Sequence, residues 1–130
     1  MLNLLIEAMQ EAVALDKELS MSWYFKGYYP SPYDTIHTCG TAACVLGYAA
    51  LKVPGDKYEA VELLGEGLEK EISHDLTMSI ISSSVEDRVE HALYFKEGEW
   101  VNEYKHLTLD DPTAQDALDY LLKVKEIVNT

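Results

Sequence analysis

At 130 residues and 14.7 kDa, with 48% apolar side chains, the chain is long enough to bury a real core without disulfides or metal, which excludes wholesale disorder. Its 23 acidic against 10 basic residues leave a formal charge of −13, which argues against non-specific binding to nucleic acid or to anionic membrane, since both carry the same sign. Two cysteines are too few for a disulfide scaffold, and the N-terminal MLNLLIEAMQEAV, with glutamates inside its apolar pattern, does not read as a signal peptide; no apolar run is long enough to span a membrane. The expected location is the reduced cytoplasm, as one domain over residues 1–130.

Leu2, Leu5, Ile6, Met9, Ala12 and Val13 recur at helical spacing and predict an amphipathic first helix ending near Leu19. Ser20 to Thr38 carries two prolines, a glycine and six aromatics, and reads as a long aromatic-rich loop with a short helical turn over Met21–Phe25. The run from Thr38 to Leu51 is almost entirely small or apolar. It predicts a central helix capped by Thr38 or Thr41, surrounded on most sides, with Gly47 permitting close approach of a neighbour. Asp56-Lys57-Tyr58-Glu59 has the form of a capping box opening a helix to Gly65, with a break at Gly65-Glu66-Gly67.

Leu68 and Ile72 resume helical spacing, whereas Met78–Ile81 suits either a strand or a helical turn. Ser83 to Glu86 forms a second capping box, opening a helix that Gly98 stops. Asp111-Pro112 supplies an N-cap and a proline at the first helical position, and Ala114 to Val128 trace a last helix. The whole reads as an all-α bundle of about five helices, with the long aromatic loop after the first.

Chemistry-bearing patterns are sparse. His37, Cys39 and Cys44 offer three zinc-type ligands, for which His74, His91 or His106 would be the fourth. Against this, there is no second cysteine pair, and a free cysteine in an apolar helix is commonly a small core hydrophobe. Cys39 near a helix start would be the reactive thiol of a thiol-dependent reading. Ser73-His74-Asp75 does not make a catalytic triad, because consecutive helical side chains point in different directions. Gly65-Glu66-Gly67 would repel phosphate. No catalytic residue is assigned.

The acidic excess is uneven. Residues 1–65 carry a net −4 and residues 66–130 a net −9, with the carboxylates grouped on predicted helical faces. Such faces keep a small protein soluble, and they also suit docking on a basic partner, in the sharpest form by imitation of the DNA backbone. The aromatics around Trp23 suit either packing on the core or anchoring a protein contact.

The run His37-Thr38-Cys39-Gly40-Thr41-Ala42-Ala43-Cys44-Val45-Leu46-Gly47-Tyr48-Ala49, preceded by Trp23, resembles a Cys-Gly-Thr-x-x-Cys-aliphatic-x-Gly motif of small uncharacterised phage and bacterial proteins. Ala60–Gly65 and Asp110–Thr113 are similar to two further features of that group. The resemblance covers about a tenth of the chain and implies a phage or bacterial cytoplasmic origin, but no activity.

Together these patterns lead to the expectation of a non-enzymatic, cofactor-free protein-binding module. It would be a phage-type effector that docks in the host cytoplasm on a host protein, such as a basic nucleic-acid enzyme or defence factor, and inhibits it. Contact residues would be Glu86, Asp87, Glu90, Glu97, Glu99 and Glu103, with Trp23, Tyr28 and Tyr29 as anchors. No direct nucleic-acid or membrane binding is expected, and a homodimer through the aromatic loop is a further reading. The competing class is a small metal- or thiol-dependent enzyme centred on His37, Cys39 and Cys44.

Overall fold

The helical periodicities are realised as seven α-helices among residues 1–19, 42–94 and 101–129, the part of the chain that the computed structural model describes. The aromatic segment from Ser20 onward, including Trp23, Tyr28 and Tyr29, lies outside the described residues, as do His37, Cys39, Glu97, Gly98 and Glu99.

Helix α1 (Leu2–Ala14) buries Leu2, Leu5, Ile6, Met9 and Ala12 along one face. It stops five residues short of Leu19, and the reason is local. Asp16 takes a left-handed conformation, φ 53°, while the amides of Asp16 and Lys17 donate back to Val13 and Ala12. This is a Schellman-type cap with aspartate in the position glycine usually fills. Glu18–Leu19 (β1) then pairs in parallel with Ala42–Ala43 (β2), a two-residue departure from the expected all-α plan.

The central helix is shorter than its apolar run. Helix α2 spans Val45–Ala50, and Cys44 rather than a threonine is its N-cap, the thiol accepting the Gly47 amide at 3.3 Å. All six of its residues are buried, in line with a helix at the centre of the core. The Tyr48 hydroxyl donates to the Glu18 carbonyl and ties β1 to α2.

Helix α3 (Lys57–Glu71) runs without interruption through Gly65 and Gly67, where a break was expected. Asp56 starts it by accepting the amides of Tyr58 and Glu59. Ala60, Val61, Leu64 and Leu68 then stay in register on the buried face. Two helical glycines cost about 1 kcal/mol each relative to alanine. Burying a leucine side chain returns roughly 1.5–3 kcal/mol, so two buried leucines outweigh both glycines.

Met78–Ile81 resolves as the end of a helix, α4 (His74–Ile81). Helix α5 (Val85–Leu93) is capped by Ser84, one residue after the expected Ser83, and ends at Leu93. A short helix, α6 (Lys105–Thr108), leads to α7 (Ala114–Val128). The α7 capping box is Thr113 with Asp116, so Pro112 precedes the cap and Asp111 is not the cap.

Packing follows the apolar faces. Helix α1 lies against α7 and α2, α2 against α3, and α4 against α5, and their buried side chains form one cluster. Among the described residues, no helix is long and apolar enough to cross a membrane.

Candidate functional site

Helix α5 presents three different chemistries around its circumference. Glu86, Asp87 and Glu90 are exposed on its outer side, Arg88 is fully buried on its inner side, and His91 lies half-buried against α4. The expected partner-binding carboxylates Glu86, Asp87 and Glu90 thus share one short helix, and Glu103 is exposed in the turn before α6. Among the described residues, none of these four carboxylates forms an ion pair. Glu86 and Asp87 occupy the first helical turn, where the positive end of the helix dipole offsets part of their charge. Glu90, one turn further on, accepts a long contact of 3.4 Å from the Tyr94 hydroxyl.

The inner side of α5 is the part that the sequence concealed. Arg88 donates from Nε to the His106 carbonyl at 2.9 Å, from Nη1 to Ser82 at 2.8 Å and from Nη2 to Leu109 at 2.6 Å. Ser82 and Leu109 are the C-caps of α4 and α6, so one guanidinium satisfies carbonyls that those helix ends leave without partners. Burial holds the Arg88 pKa below its ordinary value, with the Asp110 charge opposing.

His106, considered as a zinc ligand, instead lies fully buried beside it. Its Nε2 pairs with the Ile80 carbonyl at 2.8 Å, and its ring stacks on Tyr120 at 5.4 Å. Burial, reinforced by the Arg88 charge, brings its pKa down to about 4, so the ring is neutral near pH 7 and Nε2 carries the donated proton. The Tyr120 hydroxyl meets Ser79 Oγ at 2.7 Å, and Ser79 donates on to the Leu76 carbonyl. Arg88, His106, Tyr120 and Ser79 therefore join α4, α5, α6 and α7 through a buried polar knot.

Cys44 is likewise structural. Burial pushes its thiol up to about 11, with the Gly47 amide opposing in part, so the nucleophilic and metal-binding thiolate is disfavoured.

His74 and His91 form a separate arrangement between α3, α4 and α5. His74 Nδ1 meets Glu69 Oε1 at 2.8 Å, and His91 Nδ1 meets Asp75 Oδ1 at 3.0 Å. The two imidazole rings lie edge to face with centroids 5.4 Å apart. Ser73, His74 and Asp75 consequently turn to three different partners, as helical geometry requires, because Ser73 Oγ caps α4 through the Leu76 amide. Ser73 itself holds φ 131°, a rare conformation for a residue with a side chain. Among the described residues, no group of three or more His, Cys, Asp or Glu side chains is placed to hold a metal ion.

Two open clefts lie elsewhere on the described surface. One is lined by Asp16–Leu19 and Asp111–Ala114, the other by Glu103, Tyr104, Lys105, Asp116 and Asp119. Neither gathers a nucleophile, a base and an orienting group. No family model, curated protein or solved structure matches the chain.

Proposed function

We propose that this chain is a protein-binding module that docks through its acidic surface on a basic partner. In its concrete form it is a phage-type effector that blocks a host nucleic-acid enzyme or defence factor by presenting carboxylates where that partner receives phosphates. The observation that supports this reading most directly is the outer face of α5, where Glu86, Asp87 and Glu90 form no ion pair among the described residues and stand on a helix anchored from behind by Arg88. Like charges one turn apart cost a helix a few tenths of a kcal/mol, and a basic partner would offset that repulsion. The anchored backbone fixes the relative positions of the carboxylates before contact, so little ordering remains for binding to oppose.

Capture from host lysate at low salt, followed by a salt titration of the purified complex, tests this reading. The complex is expected to weaken steeply as salt rises, and to lose at least tenfold in affinity in the combined variant Glu86→Gln, Asp87→Asn, Glu90→Gln. A complex indifferent to both salt and these substitutions would show that the acidic face is not the interface.

A further inference from the structure

The exposed side of α5 is not uniformly acidic. At about 100° per residue, Glu86, Asp87, Glu90, Leu93 and Tyr94 fall within an arc of about 120°. Arg88 and Ala92, both fully buried, occupy the opposite side. Along the helix axis the arc runs about 12 Å, from the carboxylates of the first turn to Leu93 and Tyr94 at the end. Leu93 is 51% exposed and Tyr94 68%. Single exposed apolar residues are ordinary on a protein surface. Two in succession, on the same face as three carboxylates, give that face a charged half and an apolar half.

The two halves meet at Glu90 and Tyr94. These residues are one turn apart, and the Tyr94 hydroxyl approaches Glu90 Oε1 at 3.4 Å, so an exposed phenol ring lies beside a carboxylate. That combination suits arginine better than lysine. A planar guanidinium can pair with a carboxylate through its edge and stack on an aromatic ring through its face, and it is weakly hydrated. A lysine ammonium is a compact, strongly hydrated charge, and its gain is mainly the Coulomb attraction that carboxylates offer with or without the ring. Leu93, at the same end of the helix, offers apolar surface to the aliphatic stem of a basic side chain.

From this face we propose that α5 docks on an arginine-bearing segment of the basic partner. One guanidinium is held by Glu90 and the Tyr94 ring, Leu93 covers its stem, and Glu86 and Asp87 attract the neighbouring positive charges. This inference rests on the acidic docking proposed above and adds the residue type that the face selects. Charge complementarity fixes the sign of the occupant, and the aromatic end chooses arginine within that sign.

Calorimetric titration of the full chain with oligo-arginine and oligo-lysine peptides of equal length tests the assignment at equal charge. The arginine peptide is expected to bind roughly fivefold tighter. Tyr94→Leu keeps an apolar side chain but removes the ring, and is expected to abolish that preference without changing the lysine affinity. Tyr94→Phe is expected to retain it. Circular dichroism confirms the fold of each variant, and the comparison of the two peptides on the unsubstituted chain remains decisive if a variant fails to fold. Equal affinity for the two peptides, no binding of either, or a preference that survives Tyr94→Leu in a folded chain would overturn the inference. Equal binding that is still lost in the combined Glu86→Gln, Asp87→Asn, Glu90→Gln variant would overturn the arginine assignment alone and leave the acidic docking standing. Binding indifferent to that combined variant would overturn both.

Discussion

Two regions of the interior are sealed to the same degree and by opposite means. Around α2, the buried residues from Cys44 to Ala50 pack against α1 with little hydrogen bonding outside the helices beyond that of Tyr48 to Glu18, and cohesion comes from excluded water. Between α4, α5, α6 and α7, the equally inaccessible Arg88, His106 and Tyr120 are held by directed bonds to carbonyls and a hydroxyl. The first region is held chiefly by excluded water, with the buried Tyr48 hydroxyl tied to the Glu18 carbonyl, whereas in the second the directed bonds join the helices even though His106 Nδ1 has no partner among the described residues. That difference bears on the proposed docking, because Arg88 belongs to the second region and supports the helix that carries the acidic face.

Replacing Arg88 tests the contrast most severely. Arg88→Met keeps much of the stem volume but removes all three donors, leaving the carbonyls of Ser82, His106 and Leu109 without that partner. Each buried acceptor left unpaired costs roughly 1–3 kcal/mol, so a loss of about 3–5 kcal/mol is expected, measured as the shift in urea midpoint. A loss under about 1 kcal/mol would mean that water reaches those carbonyls and that the knot is not sealed.

Proton binding separates the two regions next, with opposite signs. The pKa of His106 is depressed from the ordinary 6.5 to about 4, so between those values the unfolded chain holds the extra proton. Stability from this group is complete above about pH 6.5 and is lost as pH falls towards 4, on the order of 3 kcal/mol in all. Cys44 does the reverse in alkali: its pKa rises from 9.0 to about 11, so its contribution is complete below pH 9 and is lost as pH rises towards 11. Denaturation across pH is expected to show an acid slope that His106→Gln flattens and an alkaline slope that Cys44→Ala reduces. If the acid slope persists unchanged in the histidine variant, the buried neutral imidazole is not its source.

The apolar region was far more legible in the sequence than the polar one. Small apolar residues from Ala42 to Ala50 announce a surrounded helix, and the Leu/Ile/Met spacing of α1 announces its inner face. The boundaries were less legible, because Asp16 and Cys44 serve as caps in place of the commoner glycine and threonine. Arg88 gave no sign of burial, since arginine in an acidic, helical stretch is ordinarily a solvated partner for its neighbours. Its role depends on carbonyls six, eighteen and twenty-one residues away, which no local pattern reports. The two carboxylate-backed imidazoles share that limitation. His74 and Glu69 are only five residues apart, but their relation to His91 exists only once α4 and α5 have packed.

The smallest expected effect falls at the edge of the apolar region and concerns Gly65. A glycine within α3 exacts a backbone-entropy cost, and the Gly65-Glu66-Gly67 sequence therefore suggests a break that does not occur. A Cβ at Gly65 would meet only Leu46 Cδ1, at 3.8 Å, which is ordinary contact. Its backbone is helical, so alanine introduces no strain there, and Gly65→Ala is expected to stabilise the chain by about 0.5–1 kcal/mol. The gain would appear as a raised urea midpoint with an unchanged slope. A destabilisation instead would mean that the α2–α3 contact is tighter than 3.8 Å allows and that the small residue is required for close approach. The apolar region would then demand as exact a fit as the polar knot, and the two would differ only in the kind of bond they use.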